Sequence, residues 1–156
     1  MLVSIVGQDA VEFNRAFARA GLQGAVLRLS CAIEENQLLA LAIGADCTDD
    51  LHVALGYFAT LDTDANLSFK ERYHSRFGTR APTLNSIGQS LYEGVHFLAA
   101  LLEDTEAARR DRPLRERSPL AYPSARGAFH HGAGETLAPM YLARAEGHLF
   151  RVIARI

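Results

Sequence analysis

Lysine is nearly missing from this chain. It occurs once, at Lys70, against fifteen arginines. With so many alanines beside it, that imbalance reads as a composition bias rather than a phosphate-binding device. Cysteine is almost as scarce: Cys31 and Cys47 are the only two. Two thiols without a further Cys/His framework support neither a disulfide scaffold nor a structural zinc site. Net charge is also small, since 16 basic and 18 acidic residues leave −2. That balance points to neither a polyanion nor an anionic membrane surface as partner. Nowhere do about 18 residues run apolar without charge, so no membrane span is expected. The opening MLVSIVGQDA has no basic segment and no long apolar core, so no signal peptide is visible and the chain as written reads as cytoplasmic. The motifs of common chemistry are missing too: no GxSxG elbow, Walker loop, HExxH or Gly-rich dinucleotide fingerprint. A non-enzyme without a cofactor is the expectation.

What is present suits one ordinary globular domain. The chain has 156 residues, 49% of them apolar and 22% charged, which is the globular balance. A chain of this length buries roughly 68–70% of its unfolded surface, enough for a core without staples.

Strands and helices alternate through the first half. Leu2–Val6 is a short apolar run, the kind that suits a strand buried on both faces. A helix over 9–20 follows, with Phe13 and Phe17 on one face and Gly21 closing it. Ala25–Ser30 is a second strand candidate. Ile33–Ala42 reads as a short helix with Glu34 and Glu35 in its first turn, where negative charge suits the dipole. Leu51–Phe58 is the third strand. The alternation predicts an α/β fold with a mainly parallel sheet flanked by helices.

Next comes GYFATLDTDANLSFKERYHSRFG, Gly56–Gly78. Thr63 or Asp64 can cap a helix whose inner face is Phe69, Tyr73 and Phe77. After the break at Arg80-Ala81-Pro82, the residues Leu84, Ile87, Leu91, Val95, Leu98 and Leu102 fall on one helical stripe. Glu106–Arg117 is charged and interrupted by Pro113. Gly127–His131, Ala138–Ala145 and His148–Ile156 read as strands, the last two joined at Glu146-Gly147 as a C-terminal β-hairpin.

In open α/β sheets, ligands sit outside the carboxyl ends of the strands. The loops there carry Gln8 and Asp9, then Ser30 and Cys31, then Tyr57. A carboxylate or hydroxyl could accept from an amide or ammonium group, and helix N-termini offer N–H groups to an oxygen. The alternative is that Asp9 and Ser30 are simply helix caps. His130, His131, Glu135 and His148 raise the question of a metal, but adjacent strand residues point to opposite faces, so a polar hairpin is favoured. RRDRPLRER, Arg109–Arg117, is interleaved with acids and lacks aromatics for base stacking, so a solvated face is favoured over nucleic acid. Cys31 as a nucleophile would need His52 or His74 as its base; an inert thiol is the simpler reading.

The middle segment, with APTLNSIGQSLYEGVHFLAALLE after it, resembles the C-terminal half of type I periplasmic-binding-fold proteins. Within them it is most similar to the urea and short-chain amide group, which includes transporter solute-binding subunits and the amide sensor of an amidase operon. A strand ending in Tyr-Phe, an Asp-Thr turn and a helix with a central tyrosine, here Tyr92, carry the likeness. VGQDAVEFNRAFARAGL and the closing PSARGAFHHGAGETLAPMYLARAEGHLFRV are similar by pattern. The resemblance implies part of a two-lobe fold. Residues 1–80 would be βα units of the second lobe, 81–120 a crossing helix and charged linker, and 121–156 a closing hairpin, together a single incomplete domain.

It further implies that Gln8, Asp9, Ser30, Cys31 and Tyr57 touch a small polar ligand: an amide, urea or amino acid. The expected function is non-enzymatic ligand binding, in a solute-binding protein (periplasmic in that case) or a regulator. The other reading is an interaction module that forms a homodimer or pairs with a chain supplying the missing lobe.

Overall fold

The computed structural model describes residues 1–43, 47–108, 120–132 and 135–156. Three strands run parallel: β1 (Leu2–Val3), β2 (Arg28–Ser30) and β3 (Leu51–Leu55). Helix α1 (Gly7–Arg19) joins the first pair and α2 (Glu35–Ala42) the second, with α1 packed on α2. After β3 come α3 (Asp64–Phe77), a single 3-10 turn at Gly78–Arg80, and the long α4 (Ser86–Ala108). Strands β4 (Leu120–Ser124), β5 (Gly127–Gly132) and β6 (Glu135–Leu137) form a separate antiparallel sheet. The last two, β7 (Tyr141–Glu146) and β8 (Leu149–Arg155), return to the first sheet, where β7 pairs antiparallel with β3. The main sheet therefore runs β1-β2-β3-β7-β8. This is the expected α/β architecture with flanking helices and a terminal hairpin, but the sheet is mixed rather than mainly parallel, because the hairpin joins β3 antiparallel.

The differences have physical causes. The expected strand Leu2–Val6 shrinks to two residues, because β2 ends at Ser30, opposite Val3, and offers nothing further to pair with. Leu2 is exposed while Val3 is buried, so this strand is covered on one face rather than two. β3 repeats that alternation: Leu51, Val53 and Leu55 point into the core. The third strand stops at Leu55, short of the expected Phe58, and Gly56 to Phe58 turn into the interior. Likewise the second strand begins at Arg28 rather than Ala25.

Helix α2 starts two residues later than expected. Glu34 is its cap, in a reciprocal capping box with Gln37, whose side chain accepts from the Glu34 N–H at 3.0 Å. Thr63 caps α3, its Oγ1 accepting from Asn66 N at 3.1 Å. At the other end, Gly78 has φ +58°, a left-handed conformation that other residues adopt only with strain. The aromatic face of α3 is buried only at Phe69; Tyr73 is half-buried and Phe77 exposed. The hairpin turn is Gly147-His148, one residue beyond the expected pair, since Glu146 still pairs with Leu149. β4 and β6 are strands the hydrophobic pattern did not announce. Most of the charged run, residues 109–119, lies outside the described residues.

The apolar stripe of α4 is not buried in this chain. Ile87, Leu91, Val95, Leu98 and Leu102 are 55–68% exposed. Among the described side chains, the residues α4 buries are instead Gln89 and Glu93.

Candidate functional site

Because β1, β2 and β3 are parallel, their carboxyl ends share one edge of the sheet. That edge carries all three loops singled out from the sequence. Gln8 and Asp9 lie in the first turn of α1, both exposed, and Gln8 Nε2 donates to Glu12 Oε1 at 3.0 Å. The cap of α1 is Val6, with no side-chain bond, so Asp9 is not the helix cap. Ser30 is fully buried at the end of β2, and its Oγ accepts from Ala32 N at 3.2 Å, a local turn rather than a cap. Cys31 is an exposed free thiol, four residues before α2 begins.

Tyr57, like Ser30, lies beneath the surface. It has no exposed surface, its ring lies edge-on to Phe69 at 6.3 Å, and its hydroxyl donates to Asn66 Oδ1 at 2.9 Å. Burial, with help from the nearby Glu35 charge, pushes the phenol well above its usual range, so it stays a neutral donor. The edge thus presents Gln8, Asp9 and Cys31 at the surface, with Ser30 and Tyr57 beneath it.

Two further clusters flank these loops, and the sequence reading passed over both. In the first, Glu35 Oε1 accepts from Ala59 N at 2.7 Å, while Ala59 O accepts from Lys70 Nζ at 3.1 Å and Asn66 Nδ2 at 3.2 Å. Asn66 Nδ2 also donates to Leu61 O at 2.7 Å. The loop after β3 is therefore gripped from α2 on one side and α3 on the other. Glu35 Oε2 is enclosed without a hydrogen-bond partner. Burial raises the Glu35 carboxyl to about 7, the neighbouring Glu34 charge pushes the same way, and the Ala59 N–H pulls against both. Glu34 Oε1 accepts from Ile87 N at 3.1 Å, and burial raises this carboxyl too.

In the second cluster, Glu93 gathers three partners. Gln89 Nε2 donates to its Oε2 at 2.6 Å and Ser124 Oγ donates to the same oxygen. Arg126 donates to Oε1 through Nε at 3.1 Å and Nη2 at 2.6 Å. The network ties α4 to the β4–β5 turn. It also reaches the tip of β3, since a Cβ on Gly56 would come within 2.9 Å of Arg126 Nη1. Gly56 is thus a close-approach position beyond the carboxyl end of β3.

A cavity of about 570 Å³ opens elsewhere, between Thr60–Thr63 and the β7–β8 hairpin. None of Gln8, Asp9, Ser30, Cys31 or Tyr57 lines it. Among the described residues no group of three or more His, Cys, Asp or Glu could hold a metal. The side chains of His130, His131 and Glu135 fall outside the described ones. Among the described residues, no helix is long and apolar enough to cross a membrane.

With this geometry in place, the chain can be set beside known proteins. Residues 1–148 match the periplasmic binding protein family, and the chain belongs to it. Its fold recurs in an ABC transporter substrate-binding protein from Sphaerobacter thermophilus, at TM-score 0.81 and 18% identity, covering 99% of this chain and 44% of that one. A solute-binding protein from Rhodopseudomonas palustris HaA2, in complex with p-hydroxybenzoic acid, gives 0.80 and 17%, covering 99% and 45%. An amino acid ABC transporter substrate-binding protein from Pseudomonas fluorescens Pf-5 gives 0.77 and 15%, covering 99% and 44%. The chain thus spans less than half the length of these relatives. No curated protein sequence matches it significantly.

Proposed function

We propose that this chain is the ligand-contacting portion of a non-enzymatic, small-molecule-binding protein that completes its clamp with a further lobe. The observation that carries the reading is the single sheet edge shared by three parallel strand ends in a periplasmic binding protein chain. Gln8, Asp9 and Cys31 would supply polar contacts there, with buried Ser30 shaping the second loop from beneath. Tyr57 would act from beneath, as the fixed aromatic support of the third loop. Amides, urea and amino acids are the ligand classes we favour. Aromatic carboxylates enter as competitors, because one similar structure holds p-hydroxybenzoic acid. A solute-binding subunit would work in the periplasm and an amide-responsive regulator in the cytoplasm. In either, ligand would favour the closed two-lobe state, and that population shift would be the output.

Calorimetric titration of the two-lobed protein with acetamide, urea, leucine and 4-hydroxybenzoate tests this. A saturable heat that Asp9→Ala abolishes is the expected result. Flat heats with all four would overturn it.

A second reading is favoured by the bare stripe of α4, where five large apolar residues are more than half exposed. Contiguous apolar surface of this kind marks an interface. The missing lobe, or a second copy of the chain, would cover it. Sedimentation of this chain alone separates the readings: a dimer supports the interaction module, a monomer at working concentration counts against it.

A further inference from the structure

We propose that the cavity beside the terminal hairpin binds a compact apolar molecule carrying one positive charge, such as an arylalkylamine, and that Asp62 is its anchor. The cavity, about 570 Å³, lies between the Thr60–Thr63 segment and β7–β8. That volume falls within the range of small-molecule sites. Its apolar lining includes Leu61, Tyr141 and Phe150, all buried. The walls are fixed before any ligand arrives. Thr60 Oγ1 donates to Phe150 O at 2.6 Å, and Asn66 Nδ2 from α3 donates to Leu61 O at 2.7 Å. Behind them the Phe58 and Phe150 rings meet at 5.1 Å. A wall held in this way spares a ligand the cost of ordering the loop.

The polar lining decides the charge of the occupant. Thr60 is committed to Phe150 O, Thr63 Oγ1 accepts from Asn66 N, and the Tyr141 hydroxyl donates to Arg126 O. Three charged side chains line the cavity, and two of them, Arg151 and Glu146, pair with each other at 2.6 Å. Asp62 is left over, an exposed carboxylate that no hydrogen bond or ion pair engages among the described residues. The cavity therefore has one net negative charge beside a buried apolar floor. A carboxylate ligand would have to draw Arg151 away from Glu146, whereas a cation needs only to reach Asp62. None of Gln8, Asp9, Ser30, Cys31 or Tyr57 lines the cavity, so a molecule held here leaves the strand edge open to another.

Amide NMR titration of the full chain reads the site, with benzylamine, benzyl alcohol and benzoate as probes that share a ring and differ in charge. Benzylamine should give saturable shifts at Leu61, Asp62, Phe150 and Arg151, and leave Gln8, Asp9 and Cys31 unmoved. Benzyl alcohol should bind about fivefold more weakly, and Asp62→Asn should weaken benzylamine by the same factor, the size of one partly exposed ion pair. Benzoate should not bind. Raising salt from about 0.01 M to about 1 M shortens the screening length from about 30 Å to about 3 Å, and should weaken benzylamine but not benzyl alcohol. That last readout needs no variant. The assignment is overturned by the absence of saturable shifts with benzylamine, by equal binding of benzoate, or by full affinity in Asp62→Asn. Shifts confined to the strand edge would also overturn it, while leaving the edge itself standing as a ligand site.

Discussion

Arg28 offers the sharpest test of how this sheet is held in register. Its side chain is wholly buried at the start of β2, where it donates through Nη1 to Asn14 Oδ1 at 2.5 Å and Cys47 O at 3.1 Å, and through Nη2 to Asp49 O. The guanidinium also lies over the Phe17 ring, 4.5 Å from its centroid. One cation thus joins α1, β2 and the segment leading into β3. Arg28→Met keeps the length of the stem and removes every donor. Asn14 and Cys47 are buried, so two acceptors are left dry at about 1–3 kcal/mol each. The Asp49 carbonyl belongs to an exposed residue and rehydrates. Losing the contact with Phe17 adds about 1 kcal/mol. Against this stands the cost of burying the cation, visible as a guanidinium pulled below its usual range by desolvation; relieving it returns part of the loss.

The expected net loss is about 2–3 kcal/mol, equivalent to a melting-point drop of about 8 °C for a chain of this size. Urea denaturation followed by circular dichroism measures it, with an unchanged m-value as the sign that only stability has moved. Adding Asn14→Leu should then recover much of the loss, because an orphaned acceptor has been removed. A single variant as stable as the native chain would refute the reasoning. It would mean that desolvation of the charge outweighs all its hydrogen bonds.

Three further outcomes follow from the geometry. The Glu35 carboxyl is raised in the folded state, so its contribution is full below its unfolded value of 4.5 and is lost as pH climbs through about 7. The unfolding free energy across that window should therefore fall, by about 3 kcal/mol in all, and Glu35→Gln should flatten the profile. Thr63→Ala removes the α3 cap and should cost about 1 kcal/mol in thermal melts, whereas Thr63→Ser should cost little. Leu91→Glu on the bare stripe of α4 should leave the unfolding free energy of a monomer within about 0.5 kcal/mol. The same change should abolish any self-association seen by sedimentation; a large loss of monomer stability would show that the stripe packs within the chain.

The backbone plan was legible because each strand and helix in the first half carries its own period and its own stop. Phe13 and Phe17 share a helical face, and Gly21 and Gly78 end helices through left-handed turns. Parallel pairing followed from the alternation of elements. What could not be read was how far each ladder extends, because that depends on the neighbour: β1 stops where β2 does. Tyr57 illustrates a second limit. Period and position mark it as a strand tip, but its inward turn is set by Asn66, nine residues on, whose carbonyl oxygen receives the phenol. The Glu93 network was hidden for the same reason, since Ser124 and Arg126 lie more than thirty residues from it. α4 misled in the opposite sense. Its apolar stripe is real, yet within this chain the helix anchors itself through the polar residues on another face. The one missed signal that sequence could have supplied is Glu34…Gln37, a capping pair that fixes the start of α2 and leaves Glu35 facing inward.

The pairing of β3 with β7 joins residues 52–55 to residues 141–144 across the whole intervening chain. A parallel unit with its own helix can assemble from one short stretch, but this seam requires a long loop to close first. During synthesis, the open flank of β3 must wait for a partner that is made only after residues 56–140. Until then Val53 and Leu55 belong to an unfinished apolar border, a site where chaperones or a second nascent chain can intervene. Pulse-labelled exchange should find the β7 amides protected later than those of α1. The order in which this protein matures is thus written into one antiparallel seam at the centre of an otherwise sequential sheet.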